Sequence, residues 1–184
     1  MTKTCSELFQ GMDCTIIGNG NEEVAGLAFR SDEVAPGDMF FCIVGTVVDG
    51  HSFAQDAIDR GATSLVAERK VYLADATDVT EVVVSDSRKA MAYASANYYD
   101  NPSRAFSLVG ITGTNGKTTT TYLVEHIASV AGNRCGVIGT VGNKIAGVME
   151  HAERTTPESP DLQKLFARMR DAGCTVVAME VSSH

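Results

Sequence analysis

The stretch Gly110-Ile111-Thr112-Gly113-Thr114-Asn115-Gly116-Lys117-Thr118-Thr119 decides how this chain is read. An apolar run at 106–112 leads into it. An amphipathic run at about 117–131 leads out, with Leu123, Ile127 and Val130 on one helical face and Gly132 placed to end it. A glycine turn between strand and helix is the setting of a P-loop. Gly113 and Gly116 let the backbone turn closely enough to aim successive N–H groups at phosphate oxygens, and the helix start adds partial positive charge. In that geometry Lys117 bridges the β- and γ-phosphates of ATP and the Thr118 hydroxyl ligates Mg2+, while Thr114, Asn115 and Thr119 complete the cradle. The general pattern has glycine five places before Gly116, where this chain has Ile111, so the loop is a variant. A merely connecting turn would set Lys117 beside a positive helix end for no gain.

The alternation continues downstream. A second strand is expected at 136–141. Ser159-Pro160-Asp161 then opens a helix with a cap, a proline at the first position and an early acid. Its core positions Leu162, Leu165, Phe166 and Met169 keep the helical period, Gly173 stops it, and a third strand follows at 175–181. Strand, helix, strand, helix, strand predicts a parallel sheet with covered faces. Ligands collect at the carboxyl ends of such strands, and Met179-Glu180-Val181 shares that end with the glycine loop. Glu180 is therefore expected to reach the Mg2+ held by Thr118, the alternative being an edge glutamate facing water. Thr155-Thr156-Pro157-Glu158 follows the second strand and offers hydroxyls to substrate or metal, or serves only as a turn.

Upstream lies a different block. Short strands are expected at 26–29, 39–44, 64–67 and 81–84, with turn chemistry at Pro36-Gly37-Asp38. Ser52-Phe53-Ala54-Gln55 has capping-box spacing for a helix that Gly61 closes, and Asp86 caps an alanine-rich helix at 87–99. The blocks join at the turn-forming Asp100-Asn101-Pro102-Ser103. The expected fold class is α/β: a small N-terminal α/β domain at 1–101, then at 102–184 an incomplete parallel-sheet P-loop domain. Three strands without a closing helix would leave one strand face bare, so the chain reads as a piece of a longer protein.

A length of 184 residues suits one ordinary domain or two small ones, and 44% apolar with 21% charged residues is a globular balance. No apolar run approaches a membrane span, so membrane insertion is not expected. A net charge of −8 disfavours nucleic acid as a partner but not a phosphate ligand, which needs only local amides and a lysine. Five scattered cysteines without a Cys-x-x-Cys pair are read as free thiols of a reducing cytoplasm, not as metal ligands. His51 follows a glycine turn and either caps the next helix or faces substrate; His126 and His151 are read as structural or surface residues. His184 is a further site candidate.

Taken together, Thr112-Gly-Thr-Asn-Gly-Lys-Thr118, Thr155-Thr156-Pro157 and Glu180-Val181-Ser182-Ser183-His184 resemble the Mur ligases. These enzymes join amino acids to a UDP-linked muramoyl peptide using ATP. The threonine and Ser-Ser-His segments are similar to the UDP-N-acetylmuramoyl-tripeptide synthetase branch, which adds the third residue of the peptide. Ser31, Pro36-Gly37-Asp38-Met39-Phe40, Gly45, Asp49-Gly50-His51 and Arg60-Gly61-Ala62 resemble the UDP-binding domain shared by the third- and fourth-residue ligases. The resemblance implies a UDP-muramoyl-substrate domain at 1–101 and the first part of the ATPase domain at 102–184, in a bacterial, cytoplasmic and monomeric enzyme of peptidoglycan synthesis. It implies ATP and Mg2+ at Lys117, Thr118 and Glu180, muramoyl-peptide contacts from Thr155, Thr156 and Ser182, and uridine diphosphate near Ser31, Thr46, Val47 and Val48. The carbamylated lysine and the C-terminal domain that recruits the amino acid would lie beyond His184, so turnover is not expected from these residues alone. Two departures stand out. The family writes Asp-Ser-Arg where this chain has Arg30-Ser31-Asp32, and asparagine where it has Arg154.

The implied reaction phosphorylates a substrate carboxylate and lets an amine displace the phosphate, with Lys117, Mg2+ and helix N-terminal amides neutralising charge. The competing readings are the related fourth-step ligase adding D-Ala-D-Ala, a generic P-loop NTPase, and a UDP-sugar binding module without chemistry.

Overall fold

The computed structural model describes residues 2–71 and 78–182. The chain forms two compact units, Met1–Tyr98 and Tyr99–His184. In chain order the first contains β1 (Lys3–Thr4), α1 (Cys5–Leu8), β2 (Thr15–Ile17), β3 (Glu23–Val24), β4 (Leu27–Ala28), β5 (Met39–Phe41), α2 (Ala54–Asp59), β6 (Ser64–Ala67), β7 (Thr80–Val83) and α3 (Ser87–Tyr98). Its main sheet has the order β2-β7-β6-β5-β4. The strands β4 to β7 run parallel, and β2 is antiparallel on β7.

Burial on both faces explains why Met39-Phe40-Phe41 is continuously apolar. Met39 and Phe41 join Leu8, Val66, Val82 and Met91 in one core cluster, and Phe40 joins Cys42, Ala57 and Leu65 in another. Asp86 caps α3 by accepting the Lys89 N–H at 2.9 Å. β1 and β3 form a two-residue pair, and α1 begins in a Thr4/Glu7 capping box. Elements of two to four residues carry too few positions for a period to show, which is why these escape sequence reading.

All five cysteines are free, and Cys5, Cys42, Cys135 and Cys174 are buried. Burial pushes the Cys5 and Cys42 thiols up to about 12, which keeps them protonated and poor metal ligands. Among the described residues no group of three or more His, Cys, Asp or Glu side chains could hold a metal, and no helix is long and apolar enough to cross a membrane.

The second unit opens with a 3-10 turn at Pro102–Ala105 and continues through β8 (Ser107–Ile111), α4 (Lys117–Val130), β9 (Cys135–Gly139), β10 (Gly142–Ile145), β11 (Val148–Glu150), α5 (Ser159–Asp171) and β12 (Val176–Glu180). The sheet order is β11-β10-β9-β12-β8, with β12 parallel to both β8 and β9. The three expected parallel strands are present, and an antiparallel hairpin, β10–β11, extends the sheet past β9. Ala146 (φ +48°) and Gly147 (φ +95°) make its two-residue turn. An alanine in the left-handed region is not the usual hairpin signal, so nothing in the sequence announced it.

Helix α5 buries Leu165, Phe166 and Met169, as its period predicts. Helix α4 forms over the expected span, but Leu123, Ile127 and Val130 are 55, 67 and 76% exposed and its buried residue is Thr121. The apolar period specifies a helix without specifying which face meets the sheet.

Candidate functional site

The register pairs Glu180 with Ile111, so β12 ends beside the point where the glycine loop leaves β8. Gly116 caps α4 at φ +78° and Gly113 has φ +150°, conformations that a side chain would strain. Residues 112–116 are exposed, and Thr119 is exposed on the first turn of α4. Lys117 curls back to donate from Nζ to the Gly113 carbonyl at 2.7 Å. The ammonium is thus held over the loop whose amides would receive a phosphate.

Glu180 is 1% exposed, and its hydrogen bonds come from neutral groups. The Thr118 hydroxyl donates to Oε2 at 3.0 Å, the Thr140 N–H to Oε1 at 3.0 Å and the Thr140 hydroxyl to Oε2 at 3.2 Å. Gly139 makes room for this carboxylate, because a Cβ there would collide with Oε1. A buried carboxylate that meets a threonine hydroxyl supplies two hard oxygen donors, which suit Mg2+ completed by phosphate and water. The residues present therefore fit the metal.

The same cluster includes the threonine loop. Thr155 Oγ1 lies 3.0 Å from Thr140 Oγ1. Thr156 donates to the Glu180 carbonyl at 2.9 Å and accepts from the Ser182 N–H at 3.0 Å and the Ser182 hydroxyl at 3.1 Å. Lys117, Thr118, Thr155, Thr156, Glu180 and Ser182, chosen from separate stretches of sequence, thus gather at one end of one sheet. His184 lies outside the described residues. Thr140 and Gly139 were missed, although the strand-end rule that picked out Glu180 applies equally to a threonine just past β9.

The first unit carries a cavity of about 430 Å³ lined by Phe29, Arg30, Ser31, Asp32, Phe40, Ile43, Val48, Gly50 and Phe53. Ser31 and Val48 meet there, whereas Thr46 and Val47 stand on the adjoining loop tip, Val47 being 92% exposed. The Gly45 N–H bonds the Val48 carbonyl at 3.0 Å and closes that loop. Arg30 pairs with Asp32 at 3.0 Å and Glu33 at 3.1 Å, so the exchanged charges largely satisfy each other. The Ser31 hydroxyl and Arg60 hold the Asp56 carboxyl below its usual range.

Asp49 anchors the base of the same loop. It accepts from the His51 N–H at 3.0 Å, from His51 Nδ1 at 2.6 Å and from Arg69 Nη2 at 2.6 Å. His51 Nε2 accepts the Glu68 N–H at 3.1 Å, so the ring proton is assigned to Nδ1 and both ring nitrogens are engaged. His51 is therefore a buried structural residue. The Arg69 guanidinium, helped by His51, holds the Asp49 carboxyl well below the usual carboxylate range. A folded-state pKa below the ordinary 3.8 means that the stabilisation is present above that pH and fades as pH falls through the folded value. Asp49→Asn is expected to lower the thermal midpoint at pH 7, and the gap from wild type is expected to narrow below about pH 4. Circular dichroism melts at pH 7 and pH 3 check this; a gap independent of pH would contradict it.

A strand, a glycine loop and a Lys-Thr helix start, with an acid from the neighbouring parallel strand, define the P-loop α/β class. Residues 23–111 match the family described as "Mur ligase family, catalytic domain", and residues 111–184 match "Mur ligase middle domain". The chain belongs to the Mur ligase family. It is 48% identical over 165 residues to the UDP-N-acetylmuramoyl-L-alanyl-D-glutamate--2,6-diaminopimelate ligase of Geobacillus thermodenitrificans, an alignment covering 90% of this chain and 33% of that protein. It is 44% identical over 184 residues to the ligase of the same name from Halalkalibacterium halodurans, covering 100% of this chain and 37% of the relative. A solved structure of a ligase of that name superposes with a TM-score of 0.78 at 25% identity, over 100% of this chain and 37% of the other. The chain spans about a third of the length of the curated relatives it matches.

Proposed function

We infer that this chain supplies the UDP-substrate domain (1–101) and the first part of the ATPase domain (102–184) of a third-step Mur ligase. The whole protein would join an amino acid to UDP-N-acetylmuramoyl-dipeptide, through an acyl phosphate formed with ATP, in the bacterial cytoplasm. The observation that carries the reading is the Thr118–Glu180 contact at 3.0 Å beside a glycine loop that Lys117 overhangs. The relatives' names support 2,6-diaminopimelate as the incoming amine.

In this reading Gly113 to Thr119 receive the terminal phosphates through backbone amides, and Lys117 balances their charge. Thr118 and Glu180 hold Mg2+, which would supply electrostatic stabilisation of the transferring phosphoryl group. Thr155, Thr156 and Ser182 offer hydroxyls to the muramoyl peptide. The cavity of the first unit, with Ser31 and Val48 in its wall, has the volume of a small-ligand site and is assigned to uridine diphosphate.

Isothermal titration calorimetry with UDP and, separately, with MgATP tests the assignment. Saturable binding of each at a single site is expected. ATP binding without UDP binding would reduce the chain to a generic nucleotide-binding unit, and UDP binding without ATP binding to a sugar-nucleotide module.

A further inference from the structure

Thr140 is the residue of the cluster that no role above uses. Its N–H fixes Glu180 Oε1, and its hydroxyl stands between two partners, Glu180 Oε2 at 3.2 Å and Thr155 Oγ1 at 3.0 Å. A hydroxyl has one proton to donate and can accept on its remaining lone pairs. With the carboxylate available, the Thr140 proton points to Glu180 and the Thr155 hydroxyl donates to Thr140. Glu180 Oε2 also accepts from Thr118, so two hydroxyl protons converge on one oxygen.

We propose that Thr140 is a positioning residue that couples the phosphate loop to the threonine loop by reversing this hydrogen bond. The proposal rests on the reading of Thr118 and Glu180 as a Mg2+ site. A cation drawn to Glu180 Oε2 competes with the Thr140 proton for the same lone pairs. That proton then turns to Thr155 Oγ1, and the Thr155 proton is released to donate outward. The loop so primed suits an anionic oxygen ligand, a carboxylate or a phosphoryl group, only when metal and nucleotide are in place. By linkage, a ligand accepting from Thr155 strengthens metal binding by the same factor. No group is transferred; two hydroxyls rotate.

Thr140→Val and Thr140→Ser separate the coupling from simple support, because both keep the backbone N–H on Glu180 Oε1 and only serine keeps a hydroxyl. The readouts are the ratio of the ATP dissociation constants without and with Mg2+, and the Thr155 methyl resonance in threonine-labelled protein titrated with Mg2+ and a non-hydrolysable ATP analogue. The Thr155 signal is expected to shift on Mg2+ addition in wild type and Thr140→Ser, and to stay still in Thr140→Val. The Mg2+ ratio is expected to rise about fivefold in Thr140→Val, because the hydroxyl that competes with the cation for Glu180 Oε2 is gone, the equivalent of one neutral hydrogen bond. A merely structural residue would move both dissociation constants together and leave the ratio unchanged, which would overturn the proposal; so would a Thr155 response that survives in Thr140→Val or is not rescued by serine. Failure of the underlying metal reading has a different signature, a wild-type ATP affinity indifferent to Mg2+, and the coupling falls with it.

Discussion

Truncating Phe166 to alanine is expected to destabilise the second unit by about 4 kcal/mol, within the usual range for a buried aromatic. Phe166 is 2% exposed on α5 and shares its cluster with Ile138, Ile145, Leu165, Met169, Val177 and Met179. Its ring meets Phe106 edge-on, with centroids 5.5 Å apart and planes at 64°, a geometry that adds to the area term. The cluster takes side chains from β9, β10 and β12, so a void there loosens the strand that carries Glu180. For a unit of this size the loss corresponds to roughly 20 °C in thermal midpoint. Hydrogen exchange resolved by peptide checks it: amides of α5 and β12 should lose protection together. Phe166→Leu should recover most of it, since the remaining cavity is small. Unchanged protection in β12 after Phe166→Ala would show that the cluster does not support that strand.

The readable parts of the sequence were those whose chemistry is local. Gly113, Gly116 and Lys117 lie within five residues, and a strand before and a helix after are enough to place them. Glu180 was reached by a topological rule, because a parallel sheet puts the carboxyl ends of β8 and β12 on the same edge; that the two strands are neighbours is set by the strand order. Helix α5 was legible in both span and orientation, since its apolar stripe is narrow and its opposite side is charged. Helix α4 was legible only in span. Its first turns are threonines, and its buried side chain is Thr121, whose hydroxyl satisfies itself on the Lys117 carbonyl at 2.9 Å. A polar residue that buries its own hydrogen bond carries no apolar signal.

Thr140 shows a second kind of blindness. Nothing about Gly139-Thr140 is unusual in a strand end, and its importance arises from the Glu180 carboxylate packing over a residue with no side chain. That relation spans 40 positions in sequence and exists only once β9 and β12 are paired. The Asp49–His51–Arg69 cluster is similar. Asp49 and His51 are close enough to suggest a cap, yet the acceptor role of His51 Nε2 depends on the Glu68 N–H of the next strand's exit. A histidine after a glycine turn reads as a substrate ligand or a cap until that bond is seen.

The loop reading makes its sharpest demand at Lys117. Lys117→Ala is expected to weaken ATP binding by roughly 30-fold, the equivalent of about 2 kcal/mol for a charge-assisted contact to phosphate. Folding should be almost untouched, because the bond removed from the Gly113 carbonyl is exposed. Thermal midpoint and nucleotide affinity should therefore separate: the first stays, the second falls. The loss should also be concentrated on the terminal phosphates, so that ATP loses far more than AMP and the two affinities converge. Lys117→Arg should not restore the gap, since a planar fork cannot occupy the place of a compact ammonium curled over a tight glycine loop. Titration of ATP and AMP into wild type and both variants measures all of this. Equal ATP affinity in Lys117→Ala would mean that the loop is only a connection between β8 and α4, and the magnesium role of Thr118 and Glu180 would lose its ligand.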